Sequence, residues 1–366
     1  MLFTPIIVLF FQENGLSMNQ IFLLQAVFSI ASIILEIPAG YFSDVFGQRK
    51  SIIIGSIASV LGFVIYSLSP NFWFFMLAEI TLGIGSSFIS GSDSALLYET
   101  LLVQKKPKEY KKTEGRLLGV MTFSESIASI IGGFLALISL RVPLYCEVFV
   151  TLGAVPVAFS LMEPRIKSKQ PGNILQEASS FLFKEKKVKW LVIYSSFIGA
   201  STLVMFWLTQ PYLLAVKIPI AFFGVFLAVG LLITSFFSWN VHKIEKILGT
   251  KKALILLVFL PAIGYLILSS FQFVWSVLFI FIFYIVRGLN NPITLDYINS
   301  LINSNSRATI LSAKNLLTRL VFSIAGPFIG LVNDTFSLKM ALLLSGIIFF
   351  VFGVLSLFFM KKHKVI

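Results

Sequence analysis

Charged residues, histidine and cysteine are all scarce in this sequence of 366 residues. Charged side chains make up 12% of it, against about 25% in an average soluble domain. The single cysteine, Cys146, excludes an internal disulfide and any cysteine-ligated metal cluster. A hydrolase reading of residues 91–94 (Gly-Ser-Asp-Ser) would need a base, but His242 and His363 lie in distant basic segments. The sequence therefore predicts no metal site and no serine-hydrolase site.

Nucleotide-binding loops are missing as well. Gly83 and Gly85 form a lone Gly-x-Gly inside an apolar run, with no strand before it and no phosphate-binding lysine after it. The sequence contains no Walker loop, so ATP-driven transport is not supported. We therefore predict that the protein is not an enzyme and uses no cofactor.

Long apolar runs are abundant instead, and 57% of the residues are hydrophobic. A helix needs about 20 predominantly apolar residues to cross a bilayer. The sequence predicts twelve such segments, called spans 1 to 12 below. Their ranges are 1–12, 19–42, 51–69, 73–98, 117–139, 144–161, 190–214, 220–240, 253–270, 273–302, 310–333 and 338–360. This pattern predicts an all-α protein embedded in a lipid bilayer.

Span 1 is short for a membrane helix, because only Met1 to Gln12 precede Glu13. Twelve residues rise about 18 Å, whereas the hydrocarbon core is about 30 Å thick. We expect the native start to lie upstream, so that this chain lacks part of span 1. A cleaved signal peptide is the rival interpretation. It is not favoured, since no basic stretch precedes the run and no small-residue cleavage site follows it.

The net charge of +13 is distributed as in a membrane protein, so it does not indicate nucleic-acid binding. Most of the 29 lysines and arginines lie in alternate loops and at the C-terminus, whereas only Arg141, Lys217 and Lys339 lie in the opposite loops. This positive-inside asymmetry predicts an inner (cytoplasmic) membrane protein with its linker and C-terminus in the cytoplasm.

The longest polar interruption, residues 163–189, separates six spans from six. We predict an N-terminal six-helix bundle at 1–162 with an incomplete first helix, a basic cytoplasmic linker at 163–189, and a C-terminal six-helix bundle at 190–366. Apolar residues recur at helical spacing within residues 174–182. A short helix on the membrane surface and a disordered basic linker both remain open there.

The connection between spans 2 and 3 carries a motif, Gly40-x-x-x-Asp44-x-x-Gly47-x-Arg49-Lys50. It resembles the loop after the second helix of the major facilitator superfamily, a large class of secondary transporters. Residue 45 is a valine where that pattern usually has a base. The glycines are interpreted as allowing a sharp turn and close helix approach. The resemblance covers the whole chain apart from its start.

The resemblance implies two six-helix bundles in pseudo-two-fold repeat, with a small-molecule substrate site between them at mid-membrane. It also implies that the five motif residues latch the inside-closed arrangement at the cytoplasmic face. The halves echo each other in sequence, since residues 47–50 open span 3 much as residues 249–252 open span 9. We expect a monomer.

Span 4 places small and polar residues on one helical face. Five of them, Glu79, Gly83, Ser86, Ser90 and Asp93, step by four or three along the chain, and the same spacing continues to Leu97. In the superfamily, spans 1, 4, 7 and 10 line the cavity, so this face is predicted to meet the pathway. A packing seam of small residues is the alternative. Glu79 stands where the family often has an arginine, so that arginine's role is not carried over.

Span 10 carries a matching polar set. It consists of Arg287, Asn290, Asn291, Thr294 and Asp296. Within this set, Pro292 removes one helix hydrogen bond and so frees backbone carbonyl groups that could line a cavity. A fixed cation near mid-depth needs a counter-ion, for which Glu79 or Asp93 is predicted. Arg287 is predicted to bind an anionic part of the substrate or to release a carboxylate on its protonation. A structural pair between the halves is the alternative.

Other polar residues in the spans are candidates for an inner gate and for contacts with the substrate near the outer face. Glu36 and Arg319 lie at similar depths and are predicted to bridge at the inner gate, and Glu125 occupies the repeat position of Arg319. Gate and structural bridge are not separable from sequence. Gln210 and Tyr212 end span 7 and are candidates for substrate contact, with an interfacial aromatic belt as the plainer interpretation.

Transport by alternating access is the predicted function. Because the cavity spans are aromatic and carry few charges, we predict proton-coupled export of an amphipathic compound or metabolite. Protonation of Glu79 or Asp93 would neutralise a charge and shift the balance between conformations. Uptake of a small anionic nutrient held by Arg287 is one alternative. A non-transporting sensor or assembly protein on the same fold is an alternative of a different class.

Overall fold

The computed structural model of the protein describes residues 1–68, 70–163, 185–301, 307–363 and 365, and these residues form helices without a β-strand. In chain order the α-helices are α1 (Ile7–Glu13), α2 (Met18–Phe46), α3 (Gln48–Leu68), α4 (Phe72–Ile89), α5 (Ser92–Val103), α6 (Tyr110–Leu135), α7 (Val142–Ser160), α8 (Lys186–Ala215), α9 (Ala221–Trp239), α10 (Val241–Leu248), α11 (Thr250–Ser270), α12 (Phe281–Leu301), α13 (Arg307–Thr335) and α14 (Leu338–Lys362). Short 3₁₀ helices occur at Thr4–Ile6, Pro107–Glu109 and Val274–Ile280.

Eleven helical segments of the described chain are long and apolar enough to cross a membrane. They correspond to spans 2 to 12, and α4 with α5 forms one candidate span, Phe72–Val103. Span 1 corresponds to a shorter apolar helix, Thr4–Glu13. The predicted all-α membrane architecture is therefore confirmed for the described residues.

Two details differ from the predicted pattern. Span 10 begins with the 3₁₀ helix Val274–Ile280 and continues as α12, so its first turns are tighter than an α-helix. The short helix α10 follows span 8 and was not predicted, because its eight residues are too few for a membrane pattern. Residues 174–182, for which a surface helix and a disordered linker were both left open, lie outside the described residues.

The described residues divide into two compact units. The N-terminal unit comprises residues 1–16, 24–163 and 220–225, and the C-terminal unit comprises residues 17–23, 185–219 and 226–365. The interior of the N-terminal unit is aromatic, with Tyr66 stacked on Phe75 at 5.6 Å and Phe11 packed edge-on against Phe75 at 5.3 Å. The interior of the C-terminal unit is mainly aliphatic and includes Leu191, Leu254 and Val286.

Close helix contact in the N-terminal unit depends on glycine. A Cβ atom on Gly85 of α4 would lie 2.9 Å from the carbonyl oxygen of Gly55 in α3, which is closer than a real side chain tolerates. Lipid tails are as apolar as leucine, so helices in a bilayer associate through close van der Waals packing and polar contacts. The Gly55–Gly85 contact supplies such packing between α3 and α4.

Candidate functional site

A buried carboxylate lies in the interior of the N-terminal unit. Glu79 on α4 is 3% exposed, and the side-chain amide of Gln25 on α2 donates a hydrogen bond to its Oε1. The hydroxyl of Tyr66 on α3 lies near the same carboxylate, and Phe75 packs against the Tyr66 ring. Ionisable side chains at membrane depth are costly and mark functional positions. The coupling role of Glu79 stays a prediction, and in the structure its carboxylate accepts a hydrogen bond from the Gln25 amide.

The residues that follow Glu79 on α4 pack against α2. A Cβ atom on Gly83 would lie 3.0 Å from the Ala31 Cβ and 3.3 Å from the Phe28 carbonyl oxygen. One turn further on, the Ser87 hydroxyl donates to the Ser32 carbonyl at 3.1 Å. Gly83 thus forms a packing seam, which was the alternative interpretation of this face.

Span 4 is interrupted between Glu79 and Asp93, so the assumption of one unbroken helical face is wrong. α4 ends at Ile89, Ser90 has an extended ψ of 123°, and Gly91 has a positive φ of 83°. Asp93 lies exposed in the first turn of α5, where its carboxylate accepts a hydrogen bond from the Ser94 amide at 2.7 Å. The interruption breaks the helical register on which the predicted face depended.

Three helices of the C-terminal unit enclose a polar cavity of about 160 Å³. It is lined by Ser195, Gly199, Thr202 and Leu203 of α8, Arg287, Asn290 and Asn291 of α12, and Lys314, Asn315 and Thr318 of α13. The structure therefore brings together three residues of the polar set predicted on span 10. None of the ten lining residues is acidic.

Hydrogen bonds fix the polar wall of this cavity between α8 and α12. The Asn290 amide donates to the Ser195 carbonyl at 3.1 Å, and the Ser195 and Thr294 hydroxyls are 3.1 Å apart. Thr294 is fully buried behind the wall. These bonds give both predicted residues structural partners, but only Asn290 lines the cavity.

Lys314 is a residue to which sequence analysis assigned no role. Its side chain is 4% exposed, and its ammonium donates to the Asn291 Oδ1 and to the Thr294 hydroxyl, the latter at 3.4 Å. The available signal was a lysine inside the apolar span 11. Its partners on α12 are distant in sequence and became visible only in the structure.

Arg287 lies where two cavities meet in the C-terminal unit. It lines the polar cavity and also a narrower one of about 10 Å³, whose wall includes Met205, Phe206 and Phe283. The side chain itself is exposed. Gln210 is buried, as is Tyr212, whose hydroxyl lies 2.7 Å from the Phe271 carbonyl and 2.6 Å from the Ser276 hydroxyl. Tyr212 thus holds the start of span 10.

The motif between spans 2 and 3 is more helical than its sequence suggested. α2 continues to Phe46 and α3 begins at Gln48, so the connection is Gly47 alone, with a φ of 105°. Glu163 accepts hydrogen bonds from the backbone amides of Gln48 and Arg49 at 2.8 and 2.7 Å. A Cβ atom on Gly47 would lie 2.8 Å from the Glu163 carboxyl carbon. Glu163 was predicted only as the start of the linker.

The remaining motif residues differ in their contacts. The Arg49 guanidinium donates to the Phe159 carbonyl at the end of α7, at 2.6 Å. Asp44 and Lys50 are exposed. Gly40 is exposed within α2, and a Cβ atom there would have nothing within 4 Å, so close helix approach is the wrong explanation for this glycine. The latch role of the motif remains a prediction.

The predicted inner-gate residues are half-buried in three helices: Glu36 in α2, Glu125 in α6 and Arg319 in α13. Glu36 and Glu125 belong to the N-terminal unit and Arg319 to the C-terminal unit, and their pairing remains a prediction. Within the described ranges, no group of three or more His, Cys, Asp or Glu side chains is arranged to hold a metal ion.

Comparison with known proteins gives consistent results. The family model of the Major Facilitator Superfamily matches residues 1–326. The uncharacterised MFS-type transporter YxaM of Bacillus subtilis is 23% identical over 358 residues, which are 92% of this chain and 86% of that protein. The quinolone resistance protein NorA of Staphylococcus aureus is 23% identical over 141 residues, 38% of this chain and 35% of NorA.

Among solved structures, a variant of the nucleoside transporter NupG is similar with a TM-score of 0.80 at 14% identity, over 98% of this chain and 94% of that one. This similarity shows the fold, and it confirms the predicted architecture. The family model spans most of the sequence, and YxaM matches along nearly the whole chain. The chain therefore belongs to the major facilitator superfamily and is a multi-pass membrane transporter of small molecules.

Proposed function

We propose that the protein exports an amphipathic small molecule across the inner membrane by alternating access, driven by the proton gradient. The observation that carries this proposal is Glu79, a carboxylate that is 3% exposed inside a membrane-spanning unit and hydrogen-bonded to Gln25. Similarity to NorA, whose name denotes quinolone resistance, supports the export direction over part of the chain.

Glu79 and Gln25 form a pair that suits reversible protonation. An ionised carboxylate accepts from the Gln25 amide N–H, whereas a protonated carboxyl group donates to the Gln25 amide oxygen after that amide turns over. Proton binding therefore exchanges a buried negative charge for a neutral hydrogen bond. A proton shifts a conformational equilibrium only if it binds one conformation better than the other. We place that difference at the contact between α2 and α4.

The cytoplasmic motif serves in this proposal as the latch of the inside-closed arrangement. Two contacts anchor it. The Glu163 carboxylate accepts hydrogen bonds from backbone amides in the first turn of α3, and the Arg49 guanidinium donates to a backbone carbonyl at the end of α7. The positive N-terminal end of the α3 dipole stabilises the Glu163 carboxylate, and the negative C-terminal end of the α7 dipole stabilises the Arg49 guanidinium. Asp44 and Lys50 then supply the exposed charges of the latch, and Glu36 with Arg319 supplies the inner-gate bridge.

Uptake of an anionic nutrient is the second candidate function. It is favoured by the polar cavity of the C-terminal unit, in which Arg287 and Lys314 supply cationic groups and no lining residue is acidic. Export would lower the amount of compound that accumulates in cells, whereas uptake would raise it, so one accumulation experiment separates the two functions.

The test is accumulation of a panel of amphipathic dyes and antibiotics in an efflux-deficient bacterium that expresses the protein. We expect lower accumulation with wild type, loss of the effect with a protonophore, and loss with Glu79→Gln. Glu147→Gln is the matched control, because Glu147 is also buried in the N-terminal unit and accepts a hydrogen bond from the Leu2 backbone amide at 2.7 Å instead of from a side-chain amide. Unchanged accumulation across the panel would contradict export, and higher accumulation would indicate uptake.

A further inference from the structure

We propose that the polar cavity of the C-terminal unit binds the carboxylate group of an amphipathic substrate, with Lys314 and Arg287 as its cationic contacts. For the transported compound this inference rests on the proposed function, since it names the chemical class of the substrate. The binding site itself is defined by α8, α12 and α13 alone.

The first observation is the burial of Lys314 without an anionic partner. Its ammonium has three donors, and the two described acceptors, Asn291 Oδ1 and the Thr294 hydroxyl, are neutral oxygens. The polar side chains in the surrounding lining are amides, hydroxyls and one further cation, Arg287. A buried charge without a charged partner is destabilising, because its neutral hydrogen-bond partners do not replace the lost hydration in full. A bound anion would supply the missing negative charge.

The second observation is the position of Arg287. It lines the same cavity as Lys314, and its guanidinium has no hydrogen-bond acceptor among the described residues of the C-terminal unit. Two cations that line one cavity repel each other, and an anion bound between them is attracted to both. A guanidinium also matches the two oxygens of a carboxylate with a pair of parallel N–H donors.

The third observation is what lies beside the polar cavity. Arg287 also borders the narrow cavity whose wall includes Met205, Phe206 and Phe283. A ligand that places its carboxylate at Lys314 and Arg287 therefore meets an apolar, aromatic wall next to its charged group. The polar cavity has a volume of about 160 Å³, well above the roughly 10–15 Å³ that one water molecule needs. This suits the charged end of a ligand and a few further atoms.

The experiment measures ligand binding to the purified full-length protein in lipid nanodiscs, without any transport step. The probes are 2-naphthoate and its neutral counterpart 2-naphthamide, which share the aromatic rings and differ in charge. Binding is measured by titration calorimetry and by the rise in Tm that a ligand of the folded state produces. The variants are Lys314→Met, Lys314→Arg and Arg287→Gln. Lys339→Gln is the control, because Lys339 is an exposed lysine of the same unit outside the cavity.

We expect the wild type to bind 2-naphthoate more tightly than 2-naphthamide. Lys314→Met and Arg287→Gln should bind 2-naphthoate roughly tenfold or more weakly, as a lost hydrogen bond to a charged group implies. Lys314→Arg should retain the preference for the anion, and Lys339→Gln should bind as the wild type does. An unchanged melting temperature without ligand shows that Lys314→Met folds normally.

Three outcomes would overturn the proposal. These are equal binding of the two probes, full 2-naphthoate binding by both Lys314→Met and Arg287→Gln, and no 2-naphthoate binding up to its solubility limit. The failure of the proposed function looks different. If charge-dependent binding at Lys314 is found but cells show no change in accumulation of any compound, the site stands and export does not. If Lys314→Met and Arg287→Gln leave both export and 2-naphthoate binding unchanged, export stands and the carboxylate site does not.

Discussion

Gln25 on α2 donates a side-chain hydrogen bond to the buried carboxylate of Glu79 on α4. Gln25→Leu would leave that carboxylate without its amide donor, at a cost of roughly 1.5–3 kcal/mol of unfolding free energy. Replacing both partners by apolar side chains is nearly neutral by comparison. We therefore expect the Gln25→Leu/Glu79→Met double variant to be more stable than Gln25→Leu alone. Thermal unfolding in nanodiscs measures this, and additive losses would contradict a direct pairing.

Gly47 and Gly40 belong to one motif but lie in different surroundings. Gly47→Ala introduces a side chain at a φ of 105° and places its Cβ against Glu163, so we expect a loss of at least about 1–3 kcal/mol. Gly40→Ala lies inside α2 in open space, and alanine is the better helix former by about 1 kcal/mol. The comparison is made by melting temperature and membrane expression level. Equal effects of the two variants would show that the Gly47 geometry is not essential.

Tyr212 is a structural residue by its contacts, although sequence analysis offered it as a substrate contact. Its hydroxyl lies within hydrogen-bond distance of the Phe271 carbonyl and the Ser276 hydroxyl. Tyr212→Phe should lower the unfolding free energy by about 1–3 kcal/mol, because it leaves buried polar groups without a partner. We expect the apparent affinity for transported compounds to stay within about twofold of wild type. A large change in affinity with unchanged melting temperature would restore the substrate role.

Glu36 and Arg319 are predicted to bridge at the inner gate. If they do, Glu36→Arg and Arg319→Glu each place two like charges together, and each should impair transport. The Glu36→Arg/Arg319→Glu double variant restores opposite charges and should recover most of the activity, as coupling between contacting residues requires. Accumulation assays on the two single variants and the double variant provide the measurement. A double variant no better than the worse single one would count against pairing.

The spans and the cytoplasmic motif were accessible from the sequence because their signals are local. A membrane helix is set by the length of an apolar run, and Gly47 lies between two such runs with charged residues after it. A glycine between two helical runs also predicts a tight turn, and Gly47 has the positive φ that such a turn requires. The family resemblance rested on this connection, and the family model confirmed it.

Contacts between distant segments were not accessible in the same way. Periodicity predicted a face of span 4 but not that Gln25 would meet Glu79 there, or that Gly83 would pack against α2. The interruption at Gly91 places Asp93 in a separate helix, and a single glycine within a helical pattern gives only a weak signal of such a break. Lys314 was visible as a cation in a span, but its neighbours depend on tertiary packing.

Proton-driven export through Glu79 is the central claim, and a reconstituted system tests it most directly. The protein is placed in liposomes, and movement of the compound most strongly excluded from cells is followed under an imposed pH gradient. The account predicts gradient-driven movement with wild type. It predicts that Glu79→Gln loses this movement but still exchanges the compound down its own gradient. Gradient-driven movement at the wild-type rate in Glu79→Gln would contradict the account.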